Sequence, residues 1–268
     1  MKNIAKALVV LLAATCAASA YAKPILNETQ GKEYRTLRDA VKRAESGDVI
    51  IVNESVTLTS PINPEERELT IKGASQDVVV TYDVTTSSGQ HSAMITFDKD
   101  VIGGVVNIEN LTFEGNSDVD LESNYILVRN GGTLNLKNVT FKGFSCSAKN
   151  GFMRALSDTK SEEPALSTVS LDNVKFVDCT APVDVFIANN GTTIKLAGDC
   201  QLSLSLNNAA SVAIDAEGLT NTKPIKLYAQ RRGAGKVIVK GCNDTAKFNW
   251  VDAAGLSLVA DGNNIITE

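Results

Sequence analysis

The chain has 268 residues, of which 43% are hydrophobic and 21% charged, and its formal net charge at pH 7 is −5. This composition is typical of a folded protein and excludes an intrinsically disordered one. The sequence contains one His, one Trp and only 5% aromatic residues. It therefore offers little material for imidazole catalysis, histidine-rich metal sites or aromatic platforms for sugars.

The first 22 residues are typical of a secretory signal peptide. Lys2 and Lys6 precede an apolar run, and the small-x-small triplet Ala20–Ala22 predicts cleavage before Lys23. The apolar run is shorter than the roughly 20 residues that a membrane-spanning helix needs. We therefore expect an exported protein without a transmembrane segment, extracellular or on the outer surface, with the periplasm as an alternative. A second interpretation makes Cys16 a lipidated anchor.

Removal of this segment takes away two lysines and no acid, so the remaining chain carries a formal charge of −7. An acidic surface has no counterion-release drive toward nucleic acid or anionic lipid. We therefore do not expect nucleic acid among the partners.

Four cysteines remain after the predicted cleavage: Cys146, Cys179, Cys200 and Cys242. In an oxidising compartment they could form two disulfides in any of three connectivities. The alternative is a set of buried, small, apolar thiols with a structural role. Their spacing contains no CxxC motif and they have no His partners, so the sequence does not indicate a zinc site.

The first predicted element of the mature chain is an amphipathic helix over residues 34–46. Leu37, Ala40, Val41 and Ala44 fall at i, i+3, i+4 and i+7, which places them on one face. A glycine at position 47 is expected to end the helix as its C-terminal cap. Beyond it, short apolar stretches separated by Gly, Pro, Asn and Asp predict β-strands.

A ten-residue pattern repeats in the middle of the chain. Residues 106–115 (VNIENLTFEG) align with 134–143 (LNLKNVTFKG) and, less closely, with 169–178 (VSLDNVKFVD). Each copy predicts a strand, a bend at Asn and a second strand, each with one buried face. Such a unit cannot bury its apolar face alone, so the copies are expected to stack into a solenoid of on the order of eight to ten turns. Weaker copies are expected at residues 193–196, 202–206, 225–227, 237–239 and 256–259.

Residues 34–52 (YRTLRDAVKRAESGDVIIV), residues 69–74 (LTIKGA) and the three N-x-x-F copies resemble the bacterial pectate-lyase-like right-handed parallel β-helices. The resemblance covers nearly the whole mature chain. It implies an all-β fold, a single-stranded right-handed parallel β-helix forming one domain over residues 23–268, with the 34–46 helix covering its N-terminal end. The family contains polysaccharide lyases, glycoside hydrolases, tailspikes and adhesin-like surface proteins, so the fold does not select an activity.

Asn110, Asn138 and Asn173 hold equivalent positions in the three copies. Asparagine tolerates the left-handed backbone conformation and hydrogen-bonds along a stack. We therefore predict a structural ladder of side-chain amides at the bends.

Asp118, Asp120 and Glu122 lie at every second position of an acidic run. Side-chain oxygens with this spacing can converge on one face of an extended segment, and Ca²⁺ prefers such ligands. The run is therefore the candidate metal and ligand-binding segment, with Ca²⁺ as a possible cofactor. The alternative is a solvated loop.

Arg129, Arg154, Arg231 and Arg232 are the candidate basic binding residues. A polysaccharide lyase needs a cation to neutralise a uronate carboxylate and a Lys or Arg to take the adjacent proton. The lyase motifs around the catalytic arginine are not recognisable in this sequence, so we assign no catalytic residue. The single histidine, His91, lies in a polar loop and is expected to be solvated.

Two functions remain open. The first is an exported, non-catalytic β-helix that contacts a polysaccharide, a surface glycan or a protein through variable loops, such as residues 118–125 and 157–164. The second is a Ca²⁺-dependent lyase that cleaves acidic polysaccharide by β-elimination.

Overall fold

A computed structural model of the chain describes residues 23–86, 89–158, 162–189, 191–206, 211–229, 236–252 and 257–267. The expected signal peptide, Cys16, Arg231 and Arg232 lie outside the described residues, as does part of the expected contact loop 157–164. The described residues form one α-helix, one 3₁₀ helix and 24 strands. The protein is therefore mostly β, as predicted.

The elements are short, and only β8 and β11 reach ten residues. In chain order they are β1 (Ile25–Asn27), β2 (Lys32–Tyr34), α1 (Leu37–Arg43), β3 (Asp48–Val52), β4 (Val56–Leu58), β5 (Glu68–Gly73), β6 (Val79–Tyr82), β7 (Ile95–Thr96), β8 (Val105–Glu114), β9 (Asp120–Leu121), β10 (Ile126–Val128), β11 (Thr133–Lys142), β12 (Ser145–Cys146), β13 (Met153–Ala155), β14 (Thr168–Asp172), β15 (Lys175–Val177), β16 (Val185–Ile187), β17 (Thr193–Ala197), β18 (Ser203–Leu206), β19 (Ser211–Asp215), β20 (Ile225–Ala229), β21 (Lys236–Lys240), the 3₁₀ helix (Thr245–Lys247), β22 (Phe248–Asp252), β23 (Leu258–Asp261) and β24 (Asn264–Thr267).

Two large sheets contain most of the described strands. The larger has 15 strands, and its central path β3-β5-β8-β11-β14-β17-β19-β21 is parallel throughout. The smaller has seven parallel strands in the order β7-β10-β13-β16-β18-β20-β22. From β15 to β22, strands of the two sheets alternate along the chain, so each further repeat adds a strand to both. This is the arrangement that stacked repeats produce.

The strand register reproduces the sequence repeats. β8 and β11 pair from Val105 opposite Thr133 to Glu114 opposite Lys142, and β14 and β15 continue the same frame. The repeat phenylalanines Phe113, Phe141 and Phe176 consequently stack, with ring centroids 5.6 and 5.1 Å apart. The stacking predicted for the three strongest copies is therefore confirmed.

The weaker copies are distributed differently from the prediction. The copies at 193–196 and 237–239 lie in β17 and β21 of the larger sheet, whereas those at 202–206 and 225–227 lie in β18 and β20 of the smaller one. We call one turn of the parallel stack a rung. The last predicted copy is not a rung, because Leu258–Asp261 forms β23, which pairs antiparallel with β24. Alternation of apolar residues cannot distinguish these cases, since strands of both sheets bury one face against the same core.

Antiparallel hairpins close both ends of the larger sheet. At the N-terminal end β1 pairs with β2 and with β3, and at the C-terminal end β24 pairs with β21 and with β23. One cluster of buried apolar side chains extends between them, from Ile25 to Ile265.

The α-helix is shorter than predicted at both ends, because side chains cap it inside the predicted range. It begins after Thr36, whose Oγ1 accepts a 3.1 Å hydrogen bond from the Asp39 amide. It ends at Arg43, where the Arg67 guanidinium donates to the carbonyls of Val41 and Ala44 at 3.1 and 2.8 Å. The glycine at 47 is therefore not the cap; it lies in the turn before β3. No described helix has the length and apolarity needed to cross a membrane.

Candidate functional site

The three repeat asparagines form the ladder that the sequence predicts. Asn110, Asn138 and Asn173 each adopt φ of 54°. The Asn138 amide donates to Oδ1 of Asn110 at 2.9 Å, and the Asn173 amide donates to Oδ1 of Asn138 at 3.1 Å. The side-chain bonds therefore follow the stack, while the left-handed backbone turns the chain at each bend.

Glycines occupy the bend position on either side of this ladder. By register, Gly73 precedes Asn110 and Gly198 follows Asn173. A Cβ at Gly198 would lie 2.2 Å from Oδ1 of Asn173, and a Cβ at Gly73 would lie 2.2 Å from the carbonyl oxygen of Asn110. The close approach of the neighbouring rung therefore excludes any side chain at these two positions.

The cysteines of the described residues, Cys146, Cys179, Cys200 and Cys242, are free thiols. Cys146 and Cys200 are buried, and their thiols donate to backbone carbonyls, for example from Cys146 to Gly151 at 3.4 Å and from Cys200 to Ala197 at 3.2 Å. Burial raises the pKa of Cys146, Cys179 and Cys200. These are the properties of structural thiols and not of nucleophiles.

The acidic run forms one wall of a surface cleft. In β9 the Leu121 side chain is buried, so its neighbours Asp120 and Glu122 face outward. These three residues and Ser123 line a cleft of about 410 Å³ together with Gln90 and His91. We call it the loop cleft. Asp118 is exposed on the same run but does not line it.

The walls of the loop cleft are fixed by contacts to the core. Asp120 Oδ1 accepts a 3.0 Å hydrogen bond from the Ser145 hydroxyl of β12. On the other wall, His91 Nδ1 lies 3.2 Å from the Val84 carbonyl oxygen, which can only accept, so Nδ1 carries the hydrogen and Nε2 is left for solvent or ligand. The His91 ring also lies 5.7 Å from the ring of Tyr82.

The histidine is therefore not the solvated residue that its polar sequence context predicts. Its ring is half-buried against Tyr82, which in turn meets Tyr125 edge-to-face at 5.3 Å. Burial raises the pKa of both tyrosines far above its ordinary value, so both remain neutral hydrogen-bond donors. Residue 91 is 29 positions from Asp120, and the sequence carries no local signal that would join them.

The predicted calcium site is not formed as a cluster. Within the described residues, no group of three or more His, Cys, Asp or Glu side chains is placed to hold a metal ion. Asp118 lies in a turn, where its amide donates to Asn116 Oδ1 at 3.0 Å, and only Asp120 is in a strand. The run is extended over too short a length for Asp118 to share the face of Asp120 and Glu122.

Charge is unevenly distributed along the stack. Residues 54–125 contain 13 acids and three bases, a net charge of −10, whereas the rest of residues 23–268 is net positive by three. Ten of these 13 acids are exposed. The loop cleft therefore lies in the most negative part of the molecule, and a cleft of one sign concentrates that field.

The arginines do not join the acidic run. Arg129 lies after β10, whereas the acidic run lies before β10. The Arg129 Nε donates a 2.9 Å hydrogen bond to the Phe97 carbonyl. Arg154 lies in β13 of the smaller sheet, in register between Leu127 and Phe186.

The residues that continue this register beyond Arg154 are deeply buried. Phe186 is only 2% exposed and the next residue in register, Ser205, is 1% exposed. Within the part of the chain that the structure describes, Arg154 Nε and Ser205 Oγ are buried without a hydrogen-bond partner. Such groups could form hydrogen bonds with a ligand or with water. Of the two residues, only Arg154 was predicted as a binding residue.

Comparison with known proteins does not identify a relative. No family model, no curated protein and no solved structure matches this chain.

Proposed function

We propose that the chain is an exported, non-catalytic, single-domain right-handed parallel β-helix, similar to adhesin-like members of the pectate-lyase-like proteins, which contacts glycans through the loop cleft. The parallel sheets, the in-register repeats and the continuous buried cluster support the solenoid. The observation that carries the functional proposal is the loop cleft itself. It places Asp120 and Glu122 in one concavity with His91, and contacts to Ser145 and Tyr82 hold its walls in position.

The chemistry of the cleft favours ligands that donate hydrogen bonds. Asp120 and Glu122 offer carboxylate acceptors, Gln90 and His91 offer both donors and acceptors, and Leu121 offers a small apolar surface. Sugar hydroxyls and amino groups can satisfy these carboxylates. Carboxylate-bearing uronates would be repelled by a segment with a net charge of −10. Neutral and amino glycans are therefore the expected ligands.

The geometry gives less support to a lyase. Such an enzyme would need an arginine beside a carboxylate cluster that holds a cation. In this chain Arg129 is tied to the Phe97 carbonyl, and Arg154 lies on a strand of the smaller sheet.

Retention on immobilised glycans tests the proposal. We expect the protein with residues 1–22 removed to bind neutral or amino glycans more tightly than uronic polymers. The double variant Asp120→Asn, Glu122→Gln should lose at least tenfold in affinity. It replaces two charged acceptors, whose hydrogen bonds contribute about 1.5–3 kcal/mol each, by neutral ones that contribute about 0.5–1.5 kcal/mol each. Asp118→Asn is the matched control, because it removes a carboxylate of the same run outside the cleft.

Two results would contradict this function. An equal loss in Asp118→Asn would mean that the charge of the run, and not the cleft, governs binding. Unsaturated products from any uronic polymer, measured by ultraviolet absorbance with and without chelator, would show that the protein is a lyase.

A further inference from the structure

A second concavity runs beside the asparagine ladder. It has a volume of about 320 Å³ and is lined by Gln76, Leu111, Thr112, Asn138, Thr140, Asn173 and Lys175. We call it the ladder groove. None of these residues lines the loop cleft, so the two concavities are separate.

The polar side chains of the ladder groove repeat at the spacing of the stack. Thr112 of β8 pairs with Thr140 of β11, and Thr140 pairs with Lys175 of β15. Gln76 lies in the loop before β6, whose residue Val79 pairs with Thr112. The groove therefore spans four consecutive rungs, or about 14 Å, because neighbouring strands lie about 4.8 Å apart.

Each central rung presents unused hydrogen-bonding groups. The hydroxyls of Thr112 and Thr140 make no hydrogen bond to any residue that the structure describes, and each is one donor and two acceptors. The amides of Asn138 and Asn173 each use one N–H in the ladder, which leaves a second N–H on each. The groove is thus lined by a repeating pair of hydroxyl and amide groups.

The ladder groove differs from the loop cleft in charge. Its one ionised lining residue, Lys175, is paired with Asp199 at 3.4 Å, so its wall is close to neutral. No aromatic ring lines it. A ligand would gain hydrogen bonds that are individually weak, without aromatic stacking, so useful affinity would require several rungs to act together.

We propose that the ladder groove binds a neutral, linear polysaccharide that lies along the stack and is contacted by successive rungs through Thr112, Thr140 and the ladder amides. Its hydroxyl groups match the donors and acceptors of each rung. A polymer is preferred over a monosaccharide, because one sugar reaches only one or two rungs. This site goes beyond the proposed function and does not depend on the loop cleft.

Affinity electrophoresis in native gels that contain galactomannan or hydroxyethylcellulose tests this site. We expect at least one of these polymers to retard the protein, and we expect the double variant Thr112→Val, Thr140→Val to lose about tenfold in affinity. Valine keeps the shape and strand preference of threonine while removing the hydroxyl. The control is Thr133→Val, Thr168→Val, which removes two in-register hydroxyls from β11 and β14 away from the groove.

A second variant tests the groove even if the threonine variant does not fold. Gln76→Ala changes an exposed loop residue at the end of the groove and should lose two- to threefold in affinity. The proposal is overturned if neither polymer retards the protein, if the Thr112, Thr140 variant is retarded like the wild type, or if the control variant loses as much. Loss confined to the Asp120, Glu122 variant would place polymer binding in the loop cleft; it would overturn the ladder groove while supporting the proposed function.

Discussion

Each repeat asparagine stabilises the bend between two strands in two separable ways. At Asn138 the backbone has φ of 54°, a conformation that costs ordinary residues about 1–2 kcal/mol. Its side chain also accepts from Asn173 and donates to Asn110. The sequence predicted both properties, because three equivalent asparagines that each follow alternating apolar residues indicate a repeated, stacked bend. It did not predict the flanking Gly73 and Gly198, whose role depends on how closely the next rung approaches.

The two contributions of Asn138 can be separated by substitution. Asn138→Ala loses both the favourable backbone and the amide bonds, and we expect a loss of about 3 kcal/mol in the free energy of unfolding. Asn138→Gly restores the backbone and should lose only about 1–2 kcal/mol. Urea denaturation measures both values. A glycine variant no more stable than the alanine variant would show that the left-handed backbone carries no measurable cost for alanine at this position.

The environments of the four cysteines predict how each thiol reacts. Because burial raises the pKa of Cys146, Cys179 and Cys200, little thiolate is present and alkylation should be slow. Cys179 and Cys242 are both half-buried, but burial raises the pKa of Cys179, so iodoacetamide should modify Cys242 first. In denaturant without reductant, mass spectrometry should find all four thiols modified. Modification that requires prior reduction would show that disulfides form, the alternative that the sequence left open.

At the scale of elements, the type of each element was more predictable than its limits. The amphipathic pattern over residues 34–46 predicted α1, and alternation predicted β8 and β11. The end of α1 was missed, because its cap is the side chain of Arg67, 24 residues beyond Arg43. The prediction placed β23 in the stack, because its apolar residues do not indicate the turn after it, which folds β24 back antiparallel to it.

One buried carboxylate joins three of these N-terminal elements. Asp48 at the start of β3 accepts hydrogen bonds from Asn27 of β1 at 2.7 Å, Gln30 at 2.6 Å and the Glu45 amide after α1 at 2.7 Å. Burial by itself would raise the pKa of Asp48, but these hydrogen bonds outweigh burial and lower the pKa below its ordinary value of 3.8. The ionised side chain therefore stabilises the folded N-terminal end.

This linkage predicts acid sensitivity at the N-terminal end. Because the pKa of Asp48 is lowered on folding, its stabilisation is complete above pH 3.8 and is lost as the pH falls through the lower folded-state value. Asp48→Asn should be less stable at neutral pH and should respond less to acid. Hydrogen exchange of the β1 and α1 amides measures this. Equal acid responses in the two proteins would assign the sensitivity to other groups.

At the scale of the whole molecule, the sequence predicted the stack but not the surfaces that the stack creates. The repeats fix the register of β8 and β11, and the register places Thr112 beside Thr140 in the ladder groove. The loop cleft could not be predicted in the same way, because His91 lies in a connection of irregular length. Loop conformation depends on tertiary contacts such as the one between His91 and Tyr82.

The hairpins at the two ends of the larger sheet cover edges that would otherwise be unpaired. A parallel stack leaves an unpaired edge at each end, and such an edge can pair with another chain. At the C-terminal end, Ile265 and Ile266 of β24 pair with Val239 and Ile238 of β21. The hairpin of β23 and β24 thus occupies the edge that a further rung would otherwise use.

Removal of this hairpin should therefore cause association. We expect a chain that ends at Asp252 to show a mass that rises with protein concentration, measured by size-exclusion chromatography with light scattering, while the full mature chain does not change over the same range. Adding Ile238→Lys to the truncated chain should reduce association, because a lysine on an exposed edge strand opposes pairing. A truncated chain whose mass does not depend on concentration, or one that associates equally with the lysine, would mean that the hairpin stabilises the core without protecting the edge.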